Sequence, residues 1–297
     1  PPRSTLFPYT TLFRSPEPVT KNAIILNNYP LEELVPYIDW TPFFTTWELR
    51  GKYPSILEDN KYGNEAIKLF KDAKQLLNEI VKNKLLNANA VVHIFPASSV
   101  GDDVEIYDLN EDAIAQVHCL RQQIKKADYQ FCLSDFIAPK DSGKQDWLGA
   151  FAVTTGIGLN KIVEEFEAND DDYNAIMAKA LADRLAEAFA EKLHELTRKQ
   201  YWGYATEENL SLENVLKEKY YGIRPAPGYP ACPDHSEKEI LFKLLNAEVN
   251  TGIQLTSNFA MDPPASVCGW YFSHPESKYF SIGDRKSTRL NSSHTSI

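Results

Sequence analysis

Residues 223–235 read IRPAPGYPACPDH and hold the groups best suited to gripping a small polar ligand. Pro225, Pro227, Pro230 and Pro233 fix φ and remove four backbone donors. A loop stiffened in this way has little entropy left to lose when a ligand arrives. Arg224 offers a planar fork that suits a carboxylate. Gly228 permits close approach to the backbone, and Tyr229 and His235 add a hydroxyl and a titratable imidazole. The same loop also reads as a rigid connector whose arginine pairs with a surface acid. Asp39, in YIDW, reads either as an acceptor for a ligand amine or as a turn aspartate capping the next segment. Asp183, Glu187, Glu191 and Glu195 share one i,i+4 row, which reads as a solvated face balanced by Lys179, Arg184 and Lys192. Glu187 points into a pocket if that face is covered. Near the end, Trp270, Tyr271, Phe272, Tyr279 and Phe280 alternate like sheet residues, and two adjacent rings at an edge can stack on a flat ligand.

Other signals fall short. Gly156-Ile-Gly158 lacks the third glycine and the helix start of a dinucleotide fingerprint. His118-Cys119 and Cys232 with His235 supply too few ligands for zinc. There is no Gly-x-Ser-x-Gly elbow and no phosphate-binding loop. His93 and His194 read as core or surface histidines. The pattern is that of a binding module, without a self-contained nucleophilic or metal-dependent catalyst.

These residues need elements to hold them. Residues 37–62 are dense in aromatics and turn formers, the mark of an irregular packed segment. From Asn64, the spacing of Ala66, Phe70, Ala73, Leu77, Ile80 and Val81 predicts a helix. Strand-like runs follow at 90–97, 103–109, 129–138 and 146–156, with a helix expected over 112–126. Ile176, Met177, Ala180, Leu181, Leu185, Ala188, Phe189, Leu193 and Leu196 predict the longest helix over 173–200. Ser211 is placed to cap a helix ending near Gly222, and Ser236 with Glu239 to form a capping box for one running to Glu248. Strand-like runs close the chain at 252–261, 266–274 and 278–283. Irregular interleaving, with strands following one another directly, predicts an α+β fold on an antiparallel sheet, in a single domain.

The chain has 297 residues, with 31 Lys+Arg against 41 Asp+Glu. Such an acidic chain without a basic cluster is a poor partner for nucleic acid or an anionic membrane surface. No run approaches the length of a membrane span. Four cysteines without a Cys-x-x-Cys pair suggest neither a disulfide scaffold nor a zinc knuckle, and point to a reducing cytoplasm. The two ends stand apart. Residues 1–15, PPRSTLFPYTTLFRS, back-translate in frame onto a common short-read sequencing adapter, and DRKSTRLNSSH from Asp284 onto its companion. Residues 1–15 and 284–297 are therefore expected to be scars, leaving 16–283 as a domain cut at both ends. That stretch keeps 26 basic and 40 acidic residues, a net charge of −14.

GIRPAPGYPACPDHSEK (222–238) resembles the signature of the S-adenosylmethionine-binding activation domain of cobalamin-dependent methionine synthase. YIDWTPFF (37–44), GKYPSILED (51–59), VGDDVEIY (100–107) and APKDSGK (138–144) are similar to the same family. So are DDYNAIMAKALADRLAEAFAE (171–191), YWGY (201–204) and GWYFSHP (269–275). They keep the family's order across 37–283. The resemblance implies a C-shaped α+β domain on a curved antiparallel sheet flanked by helices. It implies S-adenosylmethionine bound in a shallow groove and used to remethylate cobalamin that has fallen to the inactive cob(II)alamin state. The parent enzyme moves a methyl group from methyltetrahydrofolate to homocysteine. Its cobalamin and zinc belong to modules outside this stretch, so the chain alone is not expected to turn over.

Carried over, the resemblance assigns Asp39 to the methionine amino group and Arg224, with the Ala226 backbone, to the carboxylate. Glu187 would face the ligand, Tyr279 and Phe280 would line the adenosine, and Tyr229 and His235 would project toward the corrin. The implied partners are the corrinoid module and flavodoxin or an equivalent electron donor. The chain departs from the pattern at Phe280, where a tyrosine is usual, at the Met261–Ala265 turn, which carries Pro263-Pro264, and at Cys268, usually serine. These departures motivate the alternative of a docking scaffold that has lost its small ligand.

Overall fold

The computed structural model describes residues 13–123 and 129–283. After the short strand β1 (Ile24–Leu26) come α1 (Leu31–Leu34), α2 (Trp40–Thr46) and the long helix α3 (Gly63–Lys82). Strands β2 (Asn87–Val100), β3 (Asp103–Tyr107), β4 (Ala113–His118) and β5 (Asp146–Ile157) follow. Helices α4 (Leu159–Glu167) and α5 (Asp172–Leu196) then lead through a π-type turn to α6 (Leu212–Leu216). Helices α7 (Glu237–Leu245) and α8 (Ala247–Thr251) precede β6 (Gln254–Leu255), β7 (Met261–Asp262) and β8 (Ser266–Tyr271). None of the described helices is long and apolar enough to cross a membrane.

The sheet runs β4-β3-β2-β5-β8, every neighbour antiparallel. The length of β2 lets its outer edge serve twice, for β1 at Ala90–Val92 and for β3 at Ala97–Val100. Along β5, Trp147, Phe151 and Val153 face one side and Leu148, Ala150 and Ala152 the other. Both sides are covered, so this antiparallel strand reads as a continuous apolar run. Helices α1–α5 bury one face and α7, α8 and the proline-rich loop the other. Asp171 caps α5 by accepting from the Asn174 amide at 3.1 Å. Phe189 on α5 and Phe151 on β5 are fully buried, each contributing roughly 1.5–3 kcal/mol. The result is the expected α+β single domain.

Several local expectations yield to longer-range contacts. Residues 113–118 form β4 rather than a helix, because the Asp108 carboxylate accepts from the Asn110 and Asp112 amides and turns the chain back onto β3. Residues 119–123 form no helix either, since the Gln122 and Gln123 amides donate to Phe131 and Ile282, and 124–126 lie outside the described residues. Residues 129–138 are not a strand. Asp135 accepts from the Cys132 amide at 2.8 Å and pairs with buried Arg121, winding 133–136 into a tight turn. Ser236 bonds Asp234 instead of closing a capping box, and Asn246, at φ 46°, breaks the helix expected to reach Glu248. The helix capped by Ser211 stops at Leu216, and Glu218 takes a positive φ of 53°. Residues 278–283 make no strand. Ile282 donates to the Pro230 carbonyl and accepts from Gln123.

Candidate functional site

The proline-rich loop is strapped to the sheet before it contacts anything else. Ile223 exchanges two backbone hydrogen bonds with Phe272, and the Trp270 amide donates to the Pro225 carbonyl at 2.9 Å. Gly269 makes that approach possible, since a Cβ there would lie 2.7 Å from the Pro225 oxygen. The loop closes on itself through Gly228 N–H to Cys232 O at 2.7 Å. Gly228, at φ 101°, leaves room for the His235 ring, which would meet a Cβ at 2.2 Å.

The loop forms one wall of a groove of about 490 Å³. Arg224, Ala226 and Tyr229 line it from the loop, Glu187 from α5, and Tyr279 with Phe280 from the C-terminal segment. A smaller pocket of about 160 Å³ shares Glu187, Glu218 and Arg224 with it and adds Asp39, Arg184 and Glu191. The structure therefore gathers seven of the eight residues singled out in the sequence. The eighth, His235, lines neither cavity. Its Nδ1 lies 3.2 Å from the Lys238 ammonium.

Asp39 takes up the capping role that one of its readings gave it. Its carboxylate caps α2 by accepting from the Thr41 amide at 2.9 Å, and it lines the smaller pocket. It is solvent-exposed, so the cost expected for a carboxylate buried among aromatics does not arise. Phe280 packs toward Phe131 with ring centroids 6.0 Å apart. Tyr279 stays 44% exposed, and its hydroxyl accepts from the Arg224 amide at 3.1 Å. Burial pushes the Tyr279 phenol up, and the Arg224 charge pulls it back.

The acidic row on α5 is a solvated face only at Asp183, which is exposed and pairs with Arg184. Glu191 is only 4% exposed and accepts from Arg224 Nη2 at 2.9 Å. Glu195 accepts from the Tyr37 hydroxyl and pairs with Lys192 and Lys199. Burial pushes the Glu191 carboxyl up, with Arg224 and Arg198 pulling it back. For Arg224, burial is the largest single influence and opposes the charge, but Glu191, Tyr220 and Tyr279 together outweigh it and hold the guanidinium above its ordinary value. Behind them Arg198 binds Glu208 through Nη2 at 2.7 Å and Nε at 3.1 Å and lies 3.8 Å over the Tyr220 ring. His194 is fully buried and stacks on Tyr271 at 4.8 Å.

Sequence reasoning missed Glu218, which lines both cavities, and the pairing of Glu191 with Arg224. The i,i+4 spacing of Glu187 and Glu191 was visible, but which of the two is buried depends on what packs over α5. Chemically, the groove offers the Arg224 cation, whose side chain is 16% exposed, carboxylates at Glu187 and Glu218, and the rings of Tyr279 and Phe280, and the adjoining pocket adds Asp39 and Arg184. That set suits a zwitterion with an added positive charge and a flat aromatic group.

The family model of the vitamin B12 dependent methionine synthase activation domain matches residues 30–294. A crystal structure of the MetH reactivation domain bound to AdoHcy is 51% identical in sequence. The match covers 97% of this chain and 91% of that one, with a TM-score of 0.91.

Proposed function

The chain belongs to the family of activation domains of vitamin B12-dependent methionine synthase, and on that premise we propose that its groove binds S-adenosylmethionine for reactivation of the parent enzyme's cobalamin. The observation that carries this reading is the gathering of Arg224, Ala226, Glu187, Tyr279 and Phe280 on one groove, with Asp39 in the adjoining pocket. The solved relative, bound to AdoHcy, supports the same ligand class.

The residues present fit the group. A volume of about 490 Å³ lies within the range of small-molecule sites. Arg224 opposes the methionine carboxylate beside the Ala226 backbone, and Asp39 accepts from the amine. Glu187 and Glu218 give the groove an acidic lining that favours a ligand carrying a sulfonium. Tyr279 and Phe280 cover the adenosine. When bound, S-adenosylmethionine supplies an electrophilic methyl carbon. The chain's part is to orient it at the open mouth of the groove, where 61%-exposed Tyr229 stands. The corrinoid module of the same enzyme docks there, with flavodoxin or an equivalent donor supplying one electron, in the cytoplasm. Tyr229 and His235 face the corrin in the docked state. Residues 16–283 form the domain, between adapter-derived segments 1–15 and 284–297.

The test is a calorimetric titration of S-adenosylmethionine into the 297-residue chain, with Arg224→Ala as control. Heat in the wild type and at least about a tenfold weaker affinity in the mutant are expected, since a hydrogen-bonded charge contact contributes roughly 1.5–3 kcal/mol. A flat wild-type titration in a folded sample would instead support the docking scaffold without a small ligand.

A further inference from the structure

We infer that Glu191 is a positioning residue for ligand recognition, acting through Arg224 without touching the ligand; this rests on the reading of the groove as an S-adenosylmethionine site. Glu191 follows Glu187 by one helical turn, and its carboxylate lies behind Arg224. At 4% exposure it is almost withdrawn from solvent. Such a carboxylate is held in a protein interior only if it is paired. Its partner is not Arg198, whose Nε and Nη2 both bind Glu208. The Glu191 Oε2 atom instead accepts from Arg224 Nη2 at 2.9 Å and from the Tyr220 hydroxyl at 3.3 Å.

For Arg224 this is the one ion pair among the described residues. Its Nε is buried with no hydrogen-bond partner. The fork is held by Glu191 through Nη2 and by the neighbouring Tyr220 hydroxyl, while the backbone is pinned by the Tyr279 hydroxyl. An arginine side chain has many rotamers, and one directional contact removes much of that freedom before the ligand arrives. The fork is then aimed in advance at the place where a carboxylate must sit. Neutralising Glu191 has two opposed effects. Arg224 attracts a carboxylate more strongly, and its direction is lost. The groove is open to water, which screens the first effect, whereas hydrogen bonding depends steeply on angle, so the second dominates.

A purely structural glutamate would give a different result. Its loss would weaken every ligand of the groove alike. A positioning glutamate acts only on ligands that present a carboxylate to Arg224. The probes are S-adenosylmethionine and its decarboxylated analogue, which keeps the sulfonium, the amine and the adenosine. Calorimetry on the full chain should show Glu191→Gln weakening S-adenosylmethionine by about tenfold, the scale of one charge-assisted hydrogen bond, and the analogue by less than about twofold. In an Arg224→Ala background the same change should have no further effect. Equal weakening of both ligands, no weakening of either, or an additive double mutant would overturn the assignment. If Glu191→Gln does not fold, Tyr220→Phe removes the hydroxyl that holds the Glu191 carboxylate against the Arg224 fork without stranding a charge. It should weaken S-adenosylmethionine by a few-fold and spare the analogue, and equal effects would again sink the idea. Failure of the wild type to bind either probe would count against the site itself.

Discussion

Each ionisable side chain behind the groove settles its charge by what faces it. His194 is the clearest case. Burial, then the charges of Arg198 and Arg224, hold its pKa well below the ordinary histidine value. Its Nε2 lies 3.2 Å from the Tyr204 hydroxyl. In the unfolded chain the ring takes a proton near pH 6.5, as ordinary histidines do. The folded chain binds fewer protons below that point, so the stability held above about pH 6.5 is lost as the pH falls through it, by up to roughly 1.4 kcal/mol per unit. Denaturant unfolding measured from pH 7 to pH 5 should show this slope, and His194→Gln should flatten it. An unchanged slope would assign the effect elsewhere, with His274, lowered by burial to about 4, the first alternative.

Elements place these residues, and they were legible to different degrees. Helices α3 and α5 follow from period, because each buries a stripe that repeats along its own sequence. Strands β2, β3, β5 and β8 show in their alternation or apolar runs. Strand β4 was hidden, because AIAQVH carries no strong pattern and its form depends on β3 and the Asp108 turn. The turn at 133–136 was hidden by Arg121, a partner more than ten residues away. In the site, the loop 223–235 was legible from its prolines and Arg224, while Glu191 and Glu218 depended on packing that local sequence does not record. The loop's attachment to β8 also gives a prediction. Gly269→Ala would drive a methyl group to 2.7 Å from the Pro225 oxygen and 3.0 Å from the Phe151 ring. Overpacking of this kind costs about 1–3 kcal/mol, so the melting temperature should fall. Ligand affinity, measured by calorimetry, should fall with it, because Arg224 moves with Pro225. A lower melting temperature with unchanged affinity would show that the loop keeps its place.

At the scale of the whole molecule, one sheet carries two apolar layers, and the groove opens where the loop on one layer meets α5 on the other. Of the first fifteen residues, 13–15 are described. Their described part touches the domain through a ring contact between Phe13 and His274 and a hydroxyl pair between Ser15 and Ser273 at 2.9 Å. A chain trimmed to 16–283 should therefore melt within about 4 °C of the full one, since 1 kcal/mol shifts a chain of this size by roughly 2–4 °C. A larger fall by calorimetry or circular dichroism would make those terminal residues part of the fold. The strand at the centre has a further consequence. Every residue of β5 but the last is buried, and both of its edges are paired. Its amide protons have no local route to solvent, so they should trade for deuterium only when the entire chain opens. Amides of the exposed 217–219 stretch beside the groove can trade through small local openings. The molecule thus carries two clocks, a slow one at its centre and a fast one at the groove's edge, and a bound ligand need slow only the second.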